Sequence, residues 1–158
     1  MRDAMMANNL EYIVSRERGR GKVLVFAHNN HLQRGKAQWQ LGADLLAWWP
    51  VGSHLNKIFG DRYAVIGSAV SVSYTSEIGQ PEAGTLESWL TSVPEPARFI
   101  PTHAGRGLPA SEIASLQPRS GSIKNPTYFS LTPRSLTDFD WLAVLNSTQY
   151  SRGGPTLK

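Results

Sequence analysis

The length, composition and charge of the chain are typical of one cysteine-free globular domain. It has 158 residues, of which 41% are hydrophobic and 18% charged, so we expect residues 1–158 to fold around one core. The lack of cysteine excludes disulfides, thiolate metal sites and thiol catalysis. No apolar run approaches the roughly 20 residues of a membrane span, and the first residues lack a signal sequence's apolar core. We therefore expect no membrane partner and a cytoplasmic location.

The net charge of +4 does not by itself indicate a nucleic-acid partner. The one dense basic stretch runs from Arg16 to Lys22 and contains two glycines. Cations in the last turn of a helix complement its negative end, and glycine commonly follows that end. We therefore interpret the stretch as a helix terminus and expect no nucleic-acid partner, because no nucleic-acid motif accompanies it.

The first third of the chain predicts a helix followed by a buried strand. Apolar residues recur at helical spacing over Arg2–Arg18. Lys22–Ala27 then has no polar alternation, as in a strand of a parallel sheet that is covered on both faces. After a polar, basic loop, Leu41–Trp49 is predicted to be a helix that Pro50 stops.

The next elements predict a strand–helix–strand unit. Ser53 is a candidate cap for a short helix over His54–Phe59, and Tyr63–Val70 is predicted to be a strand. Strands joined by a helical crossover run parallel with a right-handed connection. We therefore predict an α/β fold with a partial, mostly parallel sheet of about four strands flanked by helices.

The second half of the chain is rich in proline and glycine. Pro101–Thr137 is expected to be irregular apart from one helical turn. The remaining predictions are a loop over Ser71–Gly84, a helix over Thr85–Ser92 capped near Thr85, strands over Ala97–Ile100 and Trp141–Leu145, a helical turn at Ala110–Leu116 and a flexible tail over Ser151–Lys158.

His28 and His31 directly follow the predicted first strand and are the candidate catalytic residues. Ligands in open parallel sheets bind just beyond the carboxyl ends of strands, and neutral imidazole accepts and donates protons near neutral pH. The two rings converge only if the backbone turns straight after Ala27, and the asparagines at 29 and 30 favour such a turn. Spacing alone leaves three interpretations open: a catalytic or substrate-binding pair, a metal site, and histidines that only cap the strand end.

A metal site would need a third ligand, for which His54, His103 and Asp44 are the candidates, and none has a recognisable spacing. Trp39 is a candidate to line a pocket for a large apolar ligand. The chain carries no nucleophile elbow, phosphate-binding loop or dinucleotide fingerprint, so we expect no cofactor.

Four motifs in order resemble the erythromycin esterase family. They are Arg2-Asp3-Ala4-Met5-Met6-Ala7-Asn8, the apolar strand ending in Ala27-His28-Asn29-Asn30-His31, Val51-Gly52-Ser53-His54-Leu55, and Gly60-Asp61-Arg62-Tyr63. Gly84-Thr85-Leu86-Glu87 and Asp138-Phe139-Asp140 also look like family positions.

The resemblance implies a hydrolase that adds water to a small-molecule ester or to a macrolide lactone, an activity linked to antibiotic resistance. By matching position, His28 and His31 would be catalytic and Asn29 an adjacent substrate contact. The resemblance covers only the C-terminal part of the family's proteins. Their general base lies in an N-terminal half that has no counterpart in this resemblance. Lys36–Pro50 looks like sequence that the family does not have. The alternative is therefore a non-catalytic remnant or binding module that needs such a half as its partner.

Overall fold

A computed structural model describes residues 2–41, 43–102, 110–122 and 128–149. The sequence expectations for the tail, for His103 and for parts of Pro101–Thr137 lie outside these ranges. The helices are α1 (Arg2–Arg16), α2 (Asn29–Leu32), α3 (Val51–Phe59), α4 (Leu86–Leu90), α5 (Ala110–Ala114) and α6 (Ser135–Asp138), and the strands are β1 (Ala37–Leu41), β2 (Asp44–Trp48), β3 (Ile66–Ser73), β4 (Ala97–Pro101) and β5 (Trp141–Thr148).

The described strands form a mixed three-stranded sheet and a separate hairpin. In the order β3-β5-β4, the central strand β5 is parallel to β3 and antiparallel to β4. The α/β class is confirmed, but the expectation of a mostly parallel sheet is wrong. The reason is that the late strand β5 separates β3 from β4 and pairs with them in opposite directions.

The predicted strand over Lys22–Ala27 is wrong, since residues 21–28 contain neither helix nor strand. A strand needs a neighbour for its ladder of hydrogen bonds, and no strand of the described chain pairs with this segment. The parallel partner of β3 is therefore β5, and the predicted strand–helix–strand unit does not form. Leu24 and Phe26 are 95% and 100% exposed.

The predicted helix over Leu41–Trp49 is also wrong, because this stretch belongs to the β1–β2 hairpin. Pairing of Leu41 with Asp44 leaves a connection of two residues, the commonest hairpin length. Trp39 and Trp48 lie on the same face of this hairpin, because Trp39 pairs with Leu46, two positions before Trp48.

Helix α3 begins earlier than predicted, at Val51, and Ser53 is not its cap. The N-cap is Pro50, and the Ser53 hydroxyl instead donates a hydrogen bond of 2.5 Å to the Arg34 carbonyl. The predicted capping of α4 is confirmed, since the Thr85 hydroxyl accepts a hydrogen bond from the Ser88 amide.

Two apolar clusters hold these elements together. Between α1 and α3, Ala7, Val51 and Leu55 are almost fully buried. The larger cluster lies against the three-stranded sheet and contains Val65, Ala69, Leu86, Leu90, Leu131, Leu136, Phe139, Leu142 and Val144.

Arg34 ties the loop after α2 to the start of the sheet. Its guanidinium donates to the Asp140 carboxylate at 2.7 Å and to the Tyr63 carbonyl at 3.0 Å. The same Asp140 oxygen accepts from the Val65 amide at 2.7 Å. This shared carboxylate fixes the position of α2 relative to β3, and α2 carries the candidate histidines.

Candidate active site

The backbone turns into α2 immediately after His28, as convergence of the two histidines requires. His28 is the N-cap of α2, and its Nδ1 accepts a hydrogen bond of 3.2 Å from the Asn30 amide. Because Nδ1 acts as an acceptor, the proton of the neutral ring is on Nε2. His28 is therefore held as a hydrogen-bond donor at Nε2, and its ring packs edge-on against Phe129.

Asn29 anchors α2 to the outer edge of β3. Its side-chain amide donates to the Ser68 carbonyl at 2.8 Å, and its oxygen accepts from the Ser68 amide at 3.0 Å and from the Ser68 hydroxyl at 3.2 Å. These bonds to one residue imitate the pairing that a neighbouring strand would make. The contacts of Asn29 thus position His28 beside the sheet, and its role as a substrate contact stays a prediction.

His31 makes a different set of contacts, to the first turn of α1. Nδ1 of His31 lies 2.9 Å from Oδ1 of Asp3, and Nε2 lies 3.0 Å from a guanidinium nitrogen of Arg2. Since arginine only donates, Nε2 of His31 accepts, and the neutral ring donates its Nδ1 proton to the carboxylate. A carboxylate behind an imidazole is the arrangement that orients and supports a general base.

The two imidazoles are thus fixed in opposite tautomers. His28 carries its proton on Nε2, whereas His31 presents a basic Nε2 that Arg2 occupies. His28 lines a large cavity and His31 does not. The turn predicted from sequence is present, but the two rings contact different partners.

The large cavity beside His28 has a volume of about 1690 Å³ and predominantly apolar walls. It lies between the segment 22–28 and the edge of β3, and it extends to Phe129 and Leu131. Cavities that bind small molecules are mostly apolar with a few polar groups, and this one is larger than most. Its size and walls suit a bulky apolar ligand.

Trp39 lines a second, smaller cavity of about 550 Å³. This cavity is also lined by Trp48, Trp49 and His54. The Trp39 ring packs edge-on against Phe129 at 6.0 Å, and Phe129 in turn contacts His28. Trp39 therefore supports the wall of the large cavity from behind instead of lining it.

Glu87, a buried carboxylate in the large cavity, was not predicted from the sequence. Glu87 is 1% exposed and lines this cavity together with Tyr128. The Tyr128 hydroxyl donates to Glu87 at 3.1 Å and also lies 3.2 Å from the guanidinium of Arg119, which is 4% exposed. Burial, and after it the charge of Glu87, raises the pKa of the Tyr128 hydroxyl well above its ordinary value.

One signal in the sequence pointed to Glu87. In the predicted helix it is flanked by Leu86 and lies three residues before Leu90, and both leucines are buried. A carboxylate at this spacing shares their inward face, where a solvated surface residue is not expected.

In the described ranges, no group of three or more histidine, cysteine, aspartate or glutamate side chains is placed to hold a metal ion. Asp44 lies in β2 and His54 lines the smaller cavity, so neither joins His28. None of the described helices is both long and apolar enough to cross a bilayer.

Comparison with known proteins identifies the family to which this chain belongs. A search of curated proteins finds no match. A crystal structure of a protein from Bacillus cereus has a similar fold, with a TM-score of 0.61 at 18% identity. The similarity covers 92% of this chain and 37% of the Bacillus cereus chain, so this chain spans well under half the length of that relative. The family model for erythromycin esterase matches residues 1–148, and the chain therefore belongs to the erythromycin esterase family.

Proposed function

We propose that the chain hydrolyses an ester or macrolactone of a small molecule, with His28 and His31 as its catalytic residues. The observation that carries this proposal is the fixed tautomer of His28 in the wall of the large apolar cavity. A donor held at such a wall stabilises negative charge that develops on a bound carbonyl oxygen.

The proposed reaction is the direct attack of water on the ester carbonyl. The water oxygen bonds to the carbonyl carbon, and the carbonyl electrons move to an oxyanion that Nε2–H of His28 stabilises. The bond to the leaving oxygen then breaks, and that oxygen takes up a proton to leave as the alcohol. One water is consumed, and an acid and an alcohol are formed.

His31 is proposed to accept the proton of the attacking water through Nε2. The Asp3 carboxylate would support the imidazolium that forms, as carboxylates behind catalytic histidines do. Because Arg2 occupies Nε2 and His31 does not line the large cavity, this step requires the Arg2 guanidinium to move aside and open Nε2 to that cavity. The base role thus depends on one side chain at the start of α1.

Hydrolysis in ¹⁸O-labelled water tests this proposal directly. Incubation of the chain with a macrolide lactone should yield a product heavier by one labelled water, with the label in the new carboxyl group. His28→Ala should abolish this product, and His54→Ala, which alters the smaller cavity, should not. Absence of product with the unaltered chain, or product with both variants, would reject the proposal.

A second candidate function is that of a non-catalytic module that needs another polypeptide. The observation in its favour is the nearly complete exposure of Leu24 and Phe26 beside the open edge of β3. Contiguous exposed apolar surface commonly marks an interaction site. Its partner would be an N-terminal half, and the Bacillus cereus chain is long enough to contain one, since this chain covers only 37% of it.

The exposed segment gives this second candidate its own test. Phe26→Ser should reduce the binding of a hydrophobic dye while leaving the thermal midpoint unchanged, because the ring is 100% exposed. Leu45→Ser is the matched control, since Leu45 is 60% exposed on the hairpin and does not line the large cavity. Equal dye binding by the unaltered chain and the Phe26 variant would count against a docking surface. The proposal includes a cytoplasmic location and a role in macrolide resistance.

A further inference from the structure

Glu87 is a buried carboxylate with one satisfied oxygen and one unsatisfied oxygen. Oε1 accepts hydrogen bonds from the Tyr128 hydroxyl at 3.1 Å and from the Leu131 amide at 2.7 Å. Oε2 is buried and has no hydrogen-bond partner among the described residues. Buried polar atoms in folded proteins are nearly always paired, so this oxygen needs an explanation.

The neighbouring arginine does not provide the missing partner. Arg119 donates to the carbonyls of Val70, Ser71 and Gly79. It also donates to the Tyr128 hydroxyl, and not to Glu87 itself. Within the described ranges, neither oxygen of Glu87 forms an ion pair. The carboxylate is thus held by neutral donors while a cation in contact with it is lacking.

The chemistry of the missing partner follows from charge and from the surroundings. Burial of an ionised carboxylate is costly unless an opposite charge pairs with it. A metal ion would need further ligands, and no such cluster exists in the described part of the chain. A neutral hydroxyl would satisfy the hydrogen bond but leave the charge uncompensated.

We propose that Glu87 binds a protonated amine of a ligand that occupies the large cavity. The ammonium donates to Oε2, while Tyr128 and Leu131 hold the carboxylate in place through Oε1. The apolar wall around Glu87, which includes Phe129 and Ile78, accommodates the hydrocarbon that carries the amine. The inference rests on the proposed function only in treating the ligand as an ester substrate, and it assigns that substrate a cationic substituent.

Binding of hexylammonium and of 1-hexanol, measured by calorimetry, tests the assignment without turnover. The two probes share one hydrocarbon tail, and both donate hydrogen bonds, but only the amine is charged. The unaltered chain should bind hexylammonium at least about tenfold more tightly than 1-hexanol, since charged groups that pair in a buried site gain at least this much. Glu87→Gln should remove the preference, because the amide keeps an acceptor for Tyr128 and Leu131 but loses the charge.

Glu11→Gln is the matched control, because Glu11 is an exposed carboxylate that lines the same cavity. It should keep the preference for the amine. Persistence of the preference in Glu87→Gln, or its equal loss in Glu11→Gln, would overturn the proposal. If Glu87→Gln does not fold, the unaltered chain decides the question, since equal affinity for the two probes contradicts a cation site.

The result of the amine-binding experiment is independent of the result for ester hydrolysis. His28→Ala should abolish ester cleavage but keep the preference for hexylammonium over 1-hexanol, because that preference depends on the charge of Glu87, which the variant leaves in place. Amine binding without hydrolysis would reject the proposed function and keep this site. Hydrolysis without a preference for the amine would reject this site and keep the proposed function.

Discussion

The Asp3 carboxylate accepts a hydrogen bond of 2.9 Å from Nδ1 of His31, across 28 positions of sequence. Asp3 is only 7% exposed, so this bond joins the first turn of α1 to α2 away from bulk water. Because Arg2 donates to the other ring nitrogen, two neighbouring residues of one motif fix both the orientation and the tautomer of His31.

Asp3→Ala is expected to weaken both the fold and the proposed activity. It leaves the Nδ1 donor of His31 without its partner, and loss of a partly buried partner costs about 1–3 kcal/mol. The free energy of unfolding, measured by urea denaturation, should fall by that amount. Glu11→Ala on the exposed face of α1 should change it by less than about 0.5 kcal/mol. Equal effects of the two variants would show that the Asp3–His31 bond contributes nothing.

Gly52→Ala is expected to destabilise the chain even though it places alanine in a helix. A Cβ at this position would lie 1.9 Å from the Leu32 carbonyl oxygen, a backbone atom that cannot rotate away. Overpacking of this kind costs about 1–3 kcal/mol, and the shift would move the end of α2 with its histidine. Gly79→Ala is the control, since a Cβ there meets nothing within 4 Å. A rise in the thermal midpoint of Gly52→Ala would contradict the close contact between α3 and α2.

Tyr63 should make stability fall as the pH rises through the alkaline range. Burial raises its pKa to about 12, above the value of about 10 in an unfolded chain. Between these two values the unfolded state loses a proton that the folded state keeps, so unfolding becomes more favourable as pH rises. The same hydroxyl donates to the Leu32 carbonyl at 2.5 Å.

Tyr63→Phe should therefore show a flatter decline in unfolding free energy between pH 10 and about 12 than the unaltered chain. Tyr12→Phe is the matched control, because Tyr12 is 64% exposed, and it should reproduce the slope of the unaltered chain. An unchanged slope in the Tyr63 variant would indicate that its hydroxyl titrates alike in both states.

Local rules of sequence predicted those elements that local interactions specify. Helix α1 follows from its apolar period, and the cap of α4 from Thr85, because each depends on residues within a few positions. The hairpin also has a local sequence signal, because Gln38 and Gln40 flank Trp39 in the polar–apolar alternation that is typical of a strand. The apolar character of Leu45 and Leu46 favoured the wrong prediction of a helix.

The other differences depend on long-range pairing. The sequence of Lys22–Ala27 has the composition of a strand, but composition does not provide the neighbour that a strand requires. The parallel pairing of β3 joins residues such as Ile66 and Trp141, which lie far apart in the chain. No periodicity within either segment could reveal that pairing.

The candidate site was predictable in part. The asparagines at 29 and 30 favoured a turn after Ala27, and the motifs resembled those of the erythromycin esterase family. Both expectations are confirmed. The separate partners of the two rings could not be inferred from spacing, because Asp3 and Phe129 reach them from distant parts of the chain. The catalytic assignment of both histidines stays a prediction.

Whether His28 is catalytic is decided by the rate of ester hydrolysis by His28→Ala, compared with the unaltered chain and with His54→Ala. Removal of one oxyanion donor in characterised enzymes lowers kcat by about 100- to 1,000-fold, and a loss of this size is expected for His28→Ala with the fold retained by circular dichroism. His54→Ala should keep its rate within about threefold, since its ring lines the smaller cavity. Hydrolysis by a folded His28→Ala variant at the rate of the unaltered chain would show that His28 is not catalytic.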